Sequence, residues 1–144
     1  LSDLVDEITG DTLVGLPDEM AFRSILLTTE KKVTGDKALI IDVLGNLIDN
    51  AIRFSGETGE VELRIEKEGG YLKFTVADNG QGIAGENTEE LFQLFGKGRY
   101  SRHAPGAGLG LFVARHIAEV LGGEIRLTSN EPVGCLAIFT VPVE

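Results

Sequence analysis

Asn46 and Asn50 stand four residues apart in an apolar run, so on a helix both project from one face, one turn apart. Asparagine is mildly unfavourable inside a helix, because its side chain competes for backbone hydrogen bonds. Two at this spacing, flanked by core-type residues, call for polar partners. An amide carbonyl suits Mg²⁺, a hard cation that takes oxygen ligands and keeps phosphate partners. Arg53 follows one turn after Asn50, where it could meet the same anions. Alone, the triplet is better explained as a solvated helix edge.

A second group lies in Val76-Ala77-Asp78-Asn79-Gly80-Gln81-Gly82-Ile83, where a strand pattern ends at an aspartate and two glycines follow. Glycines let the backbone approach a ligand closely. An ionised carboxylate only accepts hydrogen bonds, so Asp78 suits an exocyclic amine such as that of adenine. Taken singly, an ordinary Asp-Asn-Gly turn explains this motif better. The third group, Gly106-Ala107-Gly108-Leu109-Gly110-Leu111, opens a helical pattern. Backbone N–H groups at a helix N-terminus make an anion site, and small residues permit phosphate approach. Two common phosphate motifs fail here. The dinucleotide fingerprint needs glycine where Leu111 stands, and the P-loop needs Ser or Thr where Gly98 follows Gly96-Lys97.

The elements that must position these groups follow from periodicity. Leu1 to Ile8 reads as a short amphipathic helix, and Phe22 to Thr29 as a strand, with a short second strand over Lys31 to Thr34. Asp36 is a good N-cap for the strongest helix, on which Leu39, Ile40, Val43, Leu44, Leu47, Ile48, Ala51 and Ile52 share a face. Val61 to Ile65 and Leu72 to Val76 alternate and are joined around Gly69-Gly70, the pattern of a hairpin with one buried face. Gly80 to Gly108 is a long Gly-rich region with a short helix expected over Glu89 to Phe95. Loops of this length usually work as lids or binding loops. A further helix is expected over Leu109 to Leu121, stopping at Gly122-Gly123, and strands over Glu124 to Thr128 and Leu136 to Val141. The fold class is α+β, a two-layer α/β sandwich in which a mixed, mostly antiparallel sheet of about five strands packs on three helices.

Bulk properties bound the function. The 144 residues suit one domain, and no apolar run approaches the ~20 residues that span a bilayer. A net charge of −10 argues against nucleic-acid binding. Against that background, Lys97-Gly98-Arg99-Tyr100-Ser101-Arg102-His103 carries three fixed positive charges and no acid. It suits a small anion better than a polyanion, and a solvated loop explains it equally well on its own. The single cysteine, Cys135, reads as a small core residue and makes the cytoplasm the expected compartment. The chain begins without methionine and is expected to be a piece of something longer.

Together, the three groups occur in a fixed order that resembles the catalytic ATP-binding domain of bacterial sensor histidine kinases. Leu44 to Ser55 is similar to their N box, Asp78 to Ile83 to the G1 box, Leu91 to Phe95 to the F box, and Gly106 to Leu111 to the G2 box. Leu121 to Ile125 and Phe139 to Pro142 also fit, so the likeness covers roughly residues 30 to 142. It implies ATP and Mg²⁺ as cofactors and a Bergerat-type fold with a long ATP lid. Asp78 would take the adenine amino group, with Gly82 shaping the base pocket beside Gly80 and Ile83. Asn50 would hold the metal, Asn46 would support the phosphates or metal, Arg53 would meet phosphate, and Phe54 would pack near base or sugar. Asn46, Asn50 and Arg53 would form the catalytic set. Gly106, Gly108, Leu109 and Gly110 would wrap the triphosphate, and the lid would contain Lys97, Arg99 and Arg102.

The same fold is shared by gyrase, mismatch-repair ATPases, heat-shock chaperones and anti-sigma serine kinases, which typically place a glutamate one turn before the metal asparagine. Here that position is Asn46, which accepts no proton, and neither Asp42 nor Asp49 has the right spacing. A neutral imidazole acceptor needs no such base, so the choice of residue favours phosphoryl transfer to histidine. Neither His103 nor His116 is followed by a phosphoacceptor sequence of the Glu-Leu-Arg-x-Pro type; His116 reads as structural and His103 as a loop residue. The acceptor is expected in a histidine-containing dimerisation domain before Leu1, with residues 1–20 as a lead-in and 21–144 as the ATP-binding domain. The expected partners are ATP and ADP, that dimerisation domain and a response regulator receiver domain, with no nucleic acid or membrane contact. The fragment should bind ATP without autophosphorylating. The competing readings are an ATP-hydrolysing relative, a degenerate nucleotide-binding module and a plain α/β interaction domain.

Overall fold

The computed structural model describes residues 2–15, 21–28, 36–55, 59–78, 107–129 and 135–142. They form α1 (Ser2–Gly15), β1 (Ala21–Leu26), α2 (Lys37–Ser55), β2 (Glu60–Glu68), β3 (Tyr71–Asp78), α3 (Ala107–Val120), β4 (Glu124–Ser129) and β5 (Cys135–Pro142). One five-stranded sheet runs in the order β1-β2-β3-β5-β4. Only the β1–β2 pair is parallel, joined through the crossover helix α2; the others are antiparallel. The α+β reading with a mixed, mostly antiparallel sheet on three helices is what the chain adopts.

Local chemistry sets the boundaries. The Asp36 carboxylate accepts the Ala38 backbone N–H at 2.8 Å, and the Asp36 carbonyl accepts the Ile40 N–H at 3.1 Å, which starts α2 as an N-cap should. The β2–β3 hairpin closes through Gly69-Gly70 between the paired residues Glu68 and Tyr71, with Gly69 at φ 61°. At the end of α3, Gly122 takes φ 84° and donates to Glu119 O at 3.1 Å, while Gly123 donates to Ala118 O at 2.9 Å. That pair of bonds is a Schellman motif, which satisfies carbonyls the helix end would leave bare. Gly123 is required for a second reason: a Cβ there would overlap the Thr140 carbonyl on β5.

The core lies between the helices and one face of the sheet. On α2, Ile40, Val43, Leu44, Leu47, Ile48 and Ala51 are buried; beneath them lie Val61, Leu63 and Ile65 of β2, and Leu72, Phe74 and Val76 of β3. Phe74 and Phe139, partners on β3 and β5, stack with centroids 5.5 Å apart. Each such side chain contributes about 1.5–3 kcal/mol by leaving water. Ala114 and Ala118, one turn apart on α3, are fully buried, and α3 packs on α2. The opposite sheet face is open and charged, with Glu62 between Arg23 (2.6 Å) and Arg64 (2.9 Å), and Lys73–Glu68 and Arg126–Glu124 beside it.

Differences from the sequence reading are local. The first helix runs to Gly15 rather than stopping near Ile8, because one exposed glycine, Gly10, costs only about 1 kcal/mol in a helix already nucleated. Its Leu4 and Ile8 join the same core as the sheet. β1 ends at Leu26, with one further ladder bond from Leu27 N to Ile65 O at 2.7 Å. α3 begins two residues earlier than expected, which places Gly108 and Gly110 inside its first turn. His116, read as structural, is exposed on the side of α3 that carries Phe112 and Val120. The strand expected over 31–34, the helix over 89–95 and the lid lie outside the described residues.

Candidate functional site

The rows that build the core end in polar residues. Along β3 the inward positions are Leu72, Phe74, Val76 and then Asp78, which is 7% exposed and paired across the ladder with Val61. Along α2 one inward row is Val43, Leu47 and Asn50, and Asn50 is 8% exposed. Among the described residues these two are the buried polar side chains. Alternation on the strand and the 3.6-residue repeat on the helix put them there, in phase with the apolar residues before them.

Their bonding differs. Asp78 makes an interaction within the chain. The Asn50 amide nitrogen is buried and, among the described residues, has no hydrogen-bond partner. A buried donor left unmade costs about 1–3 kcal/mol, so the fold carries this group at a loss unless something else meets it. Asn46, one turn earlier, is half-buried. Asp42 and Asp49 sit on the exposed side of α2. Arg53 and Phe54 continue α2 in its last turn; their side chains, like those of Gly108, Leu109 and Gly110, lie outside the described residues, as do Gly80, Gly82, Ile83, Lys97 and Gly106 altogether.

α2 ties the pieces together, packing against β2 and β3 on one side and against α3 on the other. The first turn of α3 presents the backbone N–H groups of Ala107 to Gly110, which have no partner within the helix and favour an anion. No cluster of three or more His, Cys, Asp or Glu is present among the described residues. A buried acceptor, a buried amide and a helix start are groups that would suit a molecule with a donor-bearing base and an anionic tail.

The sequence profile of the histidine kinase-, DNA gyrase B- and HSP90-like ATPases matches residues 35–144. The chain belongs to this family. Among members of this ATPase family, the sensor-like histidine kinase SenX3 of Mycolicibacterium smegmatis is 36% identical over 117 residues, covering 79% of the chain and 30% of that protein. The methanogenesis regulatory histidine kinase FilI of Methanothrix harundinacea is 33% identical over 141 residues, covering 94% of the chain and 16% of FilI. The chain thus spans under a third of either relative. The catalytic domain of histidine kinase ThkA superimposes with a TM-score of 0.85 at 28% identity, covering 99% of the chain and 91% of that domain. ThkA in complex with the response regulator protein TrrA gives a TM-score of 0.82 at 27% identity, over the whole chain and 40% of that structure.

One signal in the sequence went unused. Asp78 continues the alternation of Leu72, Phe74 and Val76, so its inward placement could be read from the strand pattern and not only from its glycine neighbours.

Proposed function

We propose that the chain is the ATP-binding catalytic domain of a sensor histidine kinase, which transfers the γ-phosphoryl of ATP to a histidine outside this chain, for passage to a response regulator receiver domain. Two buried polar side chains carry this reading: Asn50 and Asp78 come from two separate motifs, yet they are the polar residues that the described fold encloses. Asp78 accepts the adenine amino group, with Gly80, Gly82 and Ile83 around the base and Phe54 beside base or sugar. Asn50 offers an amide oxygen to Mg²⁺, a hard cation that takes oxygen ligands. The bound cation would neutralise phosphate charge during transfer. Asn46 and Arg53 steady the phosphates, Gly106, Gly108, Leu109 and Gly110 bring backbone N–H groups to them, and Lys97 approaches from the lid.

Phosphoryl transfer asks the protein mainly for positioning and charge stabilisation. Asn46 takes up no proton, which suits a nucleophilic imidazole better than a water that must be deprotonated. Residues 1–20 would lead in from the acceptor domain, fastened to the nucleotide domain through Leu4 and Ile8. Among the described residues no helix is long and apolar enough to cross a membrane; a cytoplasmic location belongs to this proposal.

Calorimetric titration with ATP and Mg²⁺, with phosphate release and transfer to an acceptor-helix fragment of the parent measured on the same samples, tests the reading. Binding, negligible release and label on the fragment are expected. Steady release without label would move the chain to the hydrolysing branch, and no binding by a folded sample would leave an interaction module.

A further inference from the structure

β4 ends the sheet: it pairs with β5 on one side and, among the described residues, with no strand on the other. The outer N–H and C=O groups of such an edge are a template for a further strand, which proteins commonly blunt with a proline, a lysine or a bulge. β4 has none of these. It reads Glu124-Ile125-Arg126-Leu127-Thr128-Ser129, and its ladder with β5 is unbroken. Glu124 and Arg126 stand on the open face as an exposed ion pair, while Ile125 and Leu127 lie on the helix-covered face. Above the edge runs α3. Its helical repeat turns Ala114 and Ala118 towards α2 and Ile117 and Leu121 over the sheet; next round, away from α2, come Val113 and Val120. Val120 is 66% exposed and Val113 39%, so the helix overhangs the free edge with an apolar flank.

We propose that the β4 edge, with the α3 flank above it, binds a second copy of this chain, β4 against β4 antiparallel, so that two sheets join into one. A two-fold axis normal to the sheet generates this pairing, keeps both helix layers on one side and makes the patch its own complement. Directly opposite residues of an antiparallel pair share a face, so the axis must pass beside one residue and its copy. Centred on Glu124 or on Arg126, it would set like charges against each other. Centred on Leu127, it would set Arg126 against Thr128 and match no charge. Centred on Ile125, it sets Glu124 against Arg126 of the second copy, twice, with the two Ile125 side chains meeting under the helices. Charge therefore selects the Ile125 register. The two α3 helices then run antiparallel across the axis, and Val113 and Val120 are covered by their copies. Neither Asn50 nor Asp78 takes part, so the dimer and the nucleotide site are separable by experiment.

The test is sedimentation equilibrium of the chain without nucleotide, wild type beside Glu124→Arg, Arg126→Glu and the double exchange that carries both; thermal unfolding checks that each variant folds. Wild type should pass from monomer to dimer as its concentration rises. Each single reversal sets like charges together at both symmetric pairs and should weaken the dimer about tenfold. The double exchange restores opposite charges at both pairs and should recover most of the wild-type association. Val120→Glu, at a position exposed in the monomer, should also weaken it. A wild type that stays monomeric at about 1 mM would overturn the proposal. So would a dimer that neither single reversal weakens, or a double exchange no better than the singles. A dimer indifferent to Val120→Glu would overturn the part given to α3.

Discussion

The two faces of the sheet hold their polar groups under opposite rules. On the open face, Arg23 and Arg64 are exposed and both pair with the largely covered Glu62, while Lys73 pairs with Glu68 and Arg126 with Glu124. On the helix-covered face, Asn50 and Asp78 are enclosed, and Asn50 keeps a donor without a partner among the described residues. Charges that face solvent contribute little to stability whether paired or not, since Coulomb attraction is screened and side-chain order is lost entropy. Polar groups inside are far more expensive, so they persist where something other than the fold requires them. The difference separates charges that face water from the two enclosed residues to which the proposed reading gives a ligand.

The contrast can be broken at its strongest point first. Leu47 lies in the same α2 row as Asn50, and Leu47→Ala should cost about 3 kcal/mol of stability, read as a lowered midpoint in urea, with binding lost only as the fold is lost. Asp78→Asn should do the reverse: unfolding changes little, while ATP affinity falls roughly 10- to 100-fold, in line with losing a hydrogen bond to a charged acceptor. An asparagine amide can donate to the 6-oxo group of inosine triphosphate, so the variant's preference should shift from ATP towards that nucleotide; an unchanged preference would detach Asp78 from the base. Asn50→Leu should raise the stability of the ligand-free domain by about 1 kcal/mol, seen as a thermal midpoint a few degrees higher. A clear fall in that midpoint would mean that the amide supports the fold after all. At the small end, Glu62→Gln should change stability by less than about 1 kcal/mol and leave nucleotide binding as it was.

The elements were legible wherever one periodicity dominated. The α2 pattern from Leu39 to Ile52, the β2–β3 alternation and the Gly122-Gly123 stop each correspond to an observed element or boundary. The first helix was read only over Leu1 to Ile8, whereas it runs on through Gly10 to Gly15, since helix propagation tolerates one such residue. Strand order was not legible: nothing local in β5 says that it inserts between β3 and β4, since the choice depends on pairing between distant residues. The candidate site was half legible. Residue types and box order picked out Asn50 and Asp78, but that both are enclosed, and that one amide nitrogen goes without a partner among the described residues, depends on packing between elements that no single segment encodes.

The place of β3 in the sheet carries a consequence for how the chain assembles and how it tolerates insertion. β3 pairs on one side with β2 across a two-residue turn, and on the other with β5, where Thr75 meets Ile138. The hairpin is a local event, while the β3–β5 seam must wait for a long loop to close, which makes that seam the slow step expected in refolding. Residues 79–106 lie inside that loop. Because closure entropy grows only with the logarithm of loop length, doubling the loop would cost about 0.6 kcal/mol, and the register of the seam is fixed by its own residue pairs. The segment between Asp78 and α3 can therefore change length over generations at little cost to the strands that frame the site.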